Sequence, residues 1–325
     1  MSKNWLFLRG EWDEHTQKSI DTDDDMWLQL FDELGGANHS IWFKGEELLW
    51  TNPPIYNIYT SSVNRMIDFV TRNRNDLGYI FARGGFDYYI PVLKACPNTY
   101  KIRYGAGKRY MPEPEIDYQL VLVDTEKQKA EVLAKYPKAN VHLFIKPAAR
   151  HFKPVDVEKE YGVVFIANGQ QAKFKGIEWV YSTAPKYLKI LHLGYPSKFN
   201  PPYNITCKRV DRIDMPAEIN KCRVGIVPYE NIDSCPRVIP EMLACGLPLV
   251  VLDTVNFCRE LYIGNPPEIA FNGQIADKEG FWGCVEYELS SHIYHCTRNR
   301  AIPMYYQENL SIPIAAKHIK ELING

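Results

Sequence analysis

The chain has 325 residues, 46% of them hydrophobic, and a formal net charge of −1. That length exceeds one small core and suits two domains of roughly 150 residues each. The near-neutral charge, with no long basic run, excludes a global electrostatic case for a nucleic-acid partner.

The first apolar stretch, Trp5 to Leu8, is too short for a signal peptide, and no run reaches the roughly 18 apolar residues of a membrane span. The eight cysteines form no C-x-x-C pair, so the expectation is a cytoplasmic protein with reduced, mostly buried thiols. Residues 5–8 read as a first buried strand, closed by a turn at Arg9 and Gly10 that is placed to meet a ligand. The acidic run 21–25 offers a D-x-D metal spacing. No hydrophobic strand precedes it, however, and Asp24 or Asp25 is placed to cap an amphipathic helix over 26–34, so no metal site is expected.

Strands over 40–43, 79–82 and 100–104 alternate with a helix over 63–70, and the second of these strands ends in Arg83-Gly84-Gly85. The loop Gly105-Ala-Gly107-Lys108-Arg109-Tyr110 is basic and aromatic, suited to phosphate or sugar. A β-prone run over 118–123, a cap at Asp124-Thr125, a helix over 126–135 and a strand over 141–145 complete the first half. A proline-bracketed, polar stretch and a charged tail at 155–160 mark the domain boundary. Beyond it come strands over 162–167, 187–193 and 224–228, with helices at 176–183 and from Asp214, and a terminal helix within 308–323. Such alternation implies parallel, doubly wound sheets. His151 and His192 read as structural.

The segment Asp233-Ser-Cys-Pro-Arg-Val-Ile-Pro-Glu241-Met-Leu-Ala-Cys-Gly246-Leu-Pro248 places two carboxylates eight residues apart around a polar turn, with a short helix ending at Gly246 and a buried strand after Pro248. In open α/β sheets ligands sit where loops leave the carboxyl ends of strands, so these acids are placed to meet one. Cys235 lies inside the segment, but no histidine partner for a nucleophile is in view.

The order of these pieces resembles the retaining glycosyltransferases of family 4 type, with an α/β GT-B fold of two Rossmann-like, doubly wound domains facing across a cleft. That family carries E-x7-E, a helix of the form Glu-Ala-Met-Ala-Cys-Gly-x-Pro and a valine-rich strand. Here stand Asp233-x7-Glu241 and then Met242-Leu-Ala-Cys-Gly-Leu-Pro-Leu-Val-Val251. Upstream, Phe165-Ile-Ala-Asn168-Gly169-Gln-Gln-Ala-Lys173-Phe-Lys175-Gly176 matches the family's strand, loop and Lys-Gly. Ile145-Lys-Pro-Ala-Ala-Arg-His-Phe-Lys-Pro154 matches its interdomain joint, and Asp253 with Glu260 its later acidic element. The implied domains are 1–150 for the acceptor, 151–305 for the nucleotide sugar, and 306–325 as a helix packing back toward the first.

The resemblance implies a metal-independent transferase that moves a sugar from a nucleotide-diphosphate sugar to a hydroxyl acceptor on a glycan or a lipid- or protein-linked saccharide, with retention. It implies no cofactor beyond the substrate; UDP-, GDP- and ADP-linked donors stay open, as do peripheral membrane contact and oligomeric state. Asp233 would face the transferred sugar, Glu241 the ribose diol, and Lys175 the charge on the departing diphosphate. Lys173, Asn168, Gly169, Ser234, Cys235, Pro236, Arg237, Val238 and Arg212 would complete the donor site. Gly10, Arg83, Lys108 and Arg109 would lie on the acceptor side. The chain departs from the family in Asp233 for Glu, in Asn168 near the place of an arginine, and in Pro240 before Glu241. The alternatives are an enzyme modifying DNA bases, for which the cluster Lys101, Arg103, Lys108 and Arg109 speaks, and a non-catalytic sugar-nucleotide or glycan-binding module.

Overall fold

A computed structural model describes residues 4–11, 23–44, 56–60, 62–105, 107–168, 173–196, 200–263, 272–290 and 292–325. The chain divides into two compact units, one of residues 1–145 with 315–325 and one of residues 146–314. The division therefore falls between Ile145 and Lys146, ahead of the charged tail where composition alone placed it, and residues 306–314 group with the second unit.

The first unit contains β1 (Asn4–Glu11), α1 (Met26–Gly35), β2 (His39–Lys44), β3 (Tyr56–Tyr59), α2 (Val63–Arg72), β4 (Leu77–Arg83), α3 (Tyr89–Lys94), β5 (Tyr100–Gly105), β6 (Leu120–Val123), α4 (Glu126–Lys135) and β7 (Val141–Leu143). Its strands form one sheet in the order β3-β2-β1-β4-β5-β6-β7, and every pairing is parallel. Parallel sheets need both faces covered, which is why the strands are continuous apolar runs. Leu6 and Leu8 pack with Trp42, Met66, Ile80 and Ala82. Phe7 instead stacks on Phe31 at 4.1 Å, and Trp27 on Phe144 at 5.4 Å.

Asp25 caps α1 as expected: its Oδ1 accepts from the backbone N–H of Trp27 and Leu28 at 2.8 and 3.1 Å, and its Oδ2 accepts from Arg9 Nη2 at 2.6 Å. Thr125 caps α4 in the same way. Gly10 corrects the expected turn. It lies inside β1 at φ 115°, where the register against β2 shifts between Leu8 and Gly10, so the strand bulges there and runs on to Glu11.

The second unit contains β8 (Tyr161–Asn168), α5 (Ile177–Thr183), β9 (Ile190–Tyr195), β10 (Ile205–Lys208), α6 (Met215–Asn220), β11 (Cys222–Val227), β12 (Ile232–Asp233), α7 (Val238–Ala244), β13 (Leu249–Leu252), β14 (Val255–Asn256), α8 (Arg259–Tyr262), β15 (Gly273–Ala276), α9 (Phe281–Ser290) and α10 (His292–Asn309); α11 (Ile312–Asn324) closes the chain. The main sheet runs β10-β9-β8-β11-β13-β15, with a separate parallel pair β12-β14. Counted from the first strand of each unit, both sheets follow the doubly wound order 3-2-1-4-5-6, with a seventh strand beyond it in the first; the order reverses between β1 and β4 and again between β8 and β11. Ala315, Ala316 and Ile319 of α11 are buried, as its periodicity requires, and Lys320 Nζ reaches Glu33 O at 2.8 Å.

Asp25 carries a prediction. Burial would raise its carboxyl, but Arg9, by charge and hydrogen bond, together with the Leu28 N–H and Arg83, holds it below the ordinary carboxylate value. Its stabilising contribution is therefore present above the unfolded pKa and is lost as pH falls through the lower folded value. Asp25→Ala should lose about 1–3 kcal/mol at pH 7 in urea denaturation, and the gap from wild type should close below about pH 4.

Candidate functional site

The strand order reverses between β8 and β11, so the loops leaving their carboxyl ends diverge and open a crevice there. Tyr229, just beyond β11, ties these two ends together: it is 1% exposed and its hydroxyl donates to Ile166 O of β8 at 2.5 Å. Lys175 lies on the ring, its Nζ 3.8 Å from the centroid. What holds the lysine there is Gly176, at φ 68°, where an added Cβ would stand 2.0 Å from Pro228 O. Only glycine permits both that left-handed conformation and that approach, and the next residue begins α5.

Helix α7 brings the acid. It packs against β11 because Gly225 has no side chain; a Cβ there would lie 2.5 Å from Met242 Sδ. The helix ends in a Schellman motif, Gly246 at φ 83° with its N–H bonded to Leu243 O and the Leu247 N–H to Met242 O. Pro240 falls in the first turn, where its missing N–H has no partner to lose, so the helix starts at Val238 undisturbed. Glu241 is 2% exposed, and its Oε1 accepts from Arg212 Nη2 at 2.7 Å. Arg212 in turn lies over the Phe152 ring at 5.2 Å, with His151 Nε2 3.2 Å from its carbonyl. The turn before α7 is fixed by Lys146, 5% exposed, whose Nζ donates to Cys235 O at 2.6 Å.

These groups feel one another. Burial first, then the charge of Arg237, lowers the Lys175 ammonium to about 8 against an opposite pull from Glu241. Burial, Glu241 and Arg237 act on the Tyr229 phenol as well, and its net shift is upward. The switch point thus gathers a half-buried lysine poised near neutrality, a buried carboxylate with its own guanidinium, and Arg237 exposed at the helix start.

No family model matches the sequence, and no curated protein does. Solved structures do match. Anabaena HepE, in complex with UDP, superposes with a TM-score of 0.70 at 10% identity over 99% of each chain. A glycosyltransferase from Rickettsia africae gives 0.69 at 11% identity, covering 98% of this chain and 97% of that one. Sucrose-phosphate synthase from Thermosynechococcus elongatus gives 0.68 at 11% identity, covering 99% and 98%. The chain has the GT-B fold.

The second unit of this GT-B fold brings together Lys175, Glu241, Arg212 and Arg237 from the expected donor set, with Cys235, Pro236 and Val238 on the turn and helix start beside them. Lys173 is exposed, Asn168 ends β8 exposed, and Ser234 is half-buried. Gly169 lies outside the described residues; Asp233 has its backbone in β12, opposite Asn256, while its side chain lies outside them. Cys235 is 2% exposed with its Sγ facing Pro236 O, a packed thiol. His192 is structural: Nε2 donates to Ala167 O at 2.9 Å, so Nδ1 accepts from Tyr181 at 2.7 Å.

In the first unit the basic cluster expected at 101–109 is corrected. Lys101 and Arg103 are buried in β5, the lysine donating to Pro97 O and Thr99 O and the arginine to Glu113 and to the carbonyls of Tyr104, Arg109 and Met111. They hold the loop rather than present charge. Arg109 is exposed over the Phe86 ring, Arg83 donates to Arg9 O, and the Lys108 side chain lies outside the described residues. Tyr229 and Lys146 were not anticipated; no local pattern marks either.

Gly176→Ala should destabilise the protein by about 2 kcal/mol or more in chemical denaturation, since the new methyl and the positive φ must both be relieved. An unchanged midpoint would mean that the Lys175 turn does not depend on that contact.

Proposed function

We propose that the protein is a retaining glycosyltransferase that moves a sugar from a nucleotide-diphosphate sugar to a hydroxyl acceptor without a metal ion. The observation that carries this reading is the Lys175 ammonium held on the Tyr229 ring at the switch point, beside the buried Glu241–Arg212 pair. A nucleotide sugar brings two phosphates and a ribose diol. A carboxylate accepts from two hydroxyls at once, and Glu241 is the acid for the ribose, kept in place by Arg212.

Charge builds on the diphosphate as the glycosidic bond breaks. Lys175, with Arg237, meets that charge in place of a metal, and the backbone N–H groups of Arg237 and Val238 add dipoles at the start of α7. Asp233, the first acid of the Asp-x7-Glu spacing, is the residue assigned to the transferred sugar. Attack comes from the same face as departure, with the leaving phosphate accepting the acceptor's proton, so configuration is kept. HepE is described in complex with UDP and with UDP-glucose, which supports UDP-glucose as the first donor to test.

Screening UDP-, GDP- and ADP-sugars by thermal denaturation should single out one nucleotide, because a ligand at 100 times its Kd adds about 2.7 kcal/mol. Lys175→Ala and Glu241→Gln should each lower kcat/KM at least ~10²-fold with the circular dichroism spectrum retained, and activity should persist in EDTA. Wild-type turnover in either variant would remove the site, and binding without turnover or hydrolysis would leave a sugar-nucleotide-binding module.

The pH profile follows from Lys175. Its ammonium is present below about pH 8 and is lost above it, so kcat/KM should fall on the alkaline side near that value. Arg237→Ala removes one of the causes that lower it and should move that limb upward in pH.

A further inference from the structure

The first sheet reverses its order between β1 and β4, and the side chains gathered at that switch point differ in kind from those in the second unit. There are aromatic rings with cations resting on them. Phe86 packs against the Cα positions of Gly10 and Gly84, so that a methyl at Gly84 would meet its Cε2 at 3.0 Å. Phe86 stacks on Tyr88 at 5.1 Å and meets Tyr89 edge-on at 5.3 Å. Over these faces stand Arg109, 5.1 Å from the Phe86 centroid, and Lys44, 4.6 Å from that of Tyr88, with Arg83 over Trp27 at 4.9 Å. The three cations come from the carboxyl ends of β2 and β4 and from the turn after β5.

Two carboxylates in this region are already engaged: Asp25 by Arg9 at 2.6 Å, and Glu113 by Arg103 at 2.9 Å. Among the described residues neither Lys44 nor Arg109 has a carboxylate within ion-pair distance. The turn carrying Arg109 is rigidly placed, since its carbonyl accepts from Arg103 Nη2 at 2.9 Å and the Gly107 carbonyl from Gln128 Nε2 at 3.3 Å. Cations held on ring faces have lost rotamer freedom in advance, which lowers the entropy cost of a later charge-assisted hydrogen bond.

We propose that this cluster is the acceptor subsite and that the acceptor is an anionic saccharide, its carboxylate or phosphate read by Arg83, Arg109 and Lys44. The proposal deepens the glycosyltransferase reading and rests on it for the word acceptor; binding of an anionic sugar at this site can be read without any donor.

The test is binding to the full chain by isothermal titration or saturation-transfer NMR, with glucuronic acid, glucose 6-phosphate and glucose as probes. At least one acid should bind 10-fold or more tightly than glucose, and the two acids separate carboxylate from phosphate. Arg109→Gln and Lys44→Gln, on surface side chains that leave the core intact, should each weaken that acid about 10-fold; Arg83→Gln should do so more strongly. UDP-induced thermal stabilisation should be unaltered in all three. Glucose binding as tightly as both acids, or acid binding unchanged in Arg109→Gln and Lys44→Gln, would overturn the proposal. So would salt-sensitive duplex DNA binding lost in these variants when neither acid binds. Wild-type protein that binds the acid but no nucleotide sugar would instead overturn the transferase reading and leave the anionic-sugar site standing.

Discussion

The contact between Gly176 and the Pro228 carbonyl is the constraint from which the candidate donor site follows. No side chain fits between them, since a Cβ would stand 2.0 Å from the oxygen. The chain leaving β8 must therefore turn through a left-handed residue directly against the end of β11. That turn lays Lys175 on Tyr229, and Tyr229 in turn bonds back to β8 through Ile166. The carboxyl ends of the two strands flanking the switch point are thereby closed into one small unit, with an ammonium on top of it.

The charges of the second unit sit where burial works against them. Desolvation is the largest cause of the lowered Lys175 pKa, and Arg237 adds to it. The Tyr229 ring and Glu241 offset part of that cost, but burial still disfavours the charged form. An anion arriving beside the ammonium would favour the charged form. Glu241 differs: only 2% exposed, it already has Arg212 at 2.7 Å, so its charge is paired before any ligand binds. Lys101 and Arg103 mark the contrast in the first unit, where backbone carbonyls and Glu113 satisfy buried cations and leave them a purely structural task.

One topology serves both units. Each reverses its strand order after its first strand, and each places glycines with positive φ near the reversal, Gly10 and Gly84 in one and Gly176 in the other. What differs is the side chains that the loops deliver. In the second unit they are a lysine on the Tyr229 ring with Glu241 and Arg237 near it, and Arg212 paired to that acid over Phe152; in the first they are stacked rings with cations laid over them. The shared backbone geometry creates two crevices, and the loop residues decide what each can hold.

Much of this was legible in the amino-acid sequence because its cause is local. Alternating apolar runs and amphipathic stretches identified the strands and helices, Asp25 and Thr125 announced their helix caps, and Gly246 its helix end, since each acts on residues within one turn of itself. Lys175 and Glu241 stand far apart in the chain, and it was the resemblance to a glycosyltransferase family, not any local pattern, that put them in one site. Tertiary structure decided the rest. Lys101 and Arg103 read as a basic surface, yet β5 lies within the sheet with both faces covered and takes them inside. Tyr229 meets Ile166, Lys146 meets Cys235 and Arg212 meets Glu241 across long intervals of chain. Local pattern determines which element a residue joins and which way it alternates; only the stacking of distant strands determines what it faces, because a side chain's environment is set by its neighbours in space.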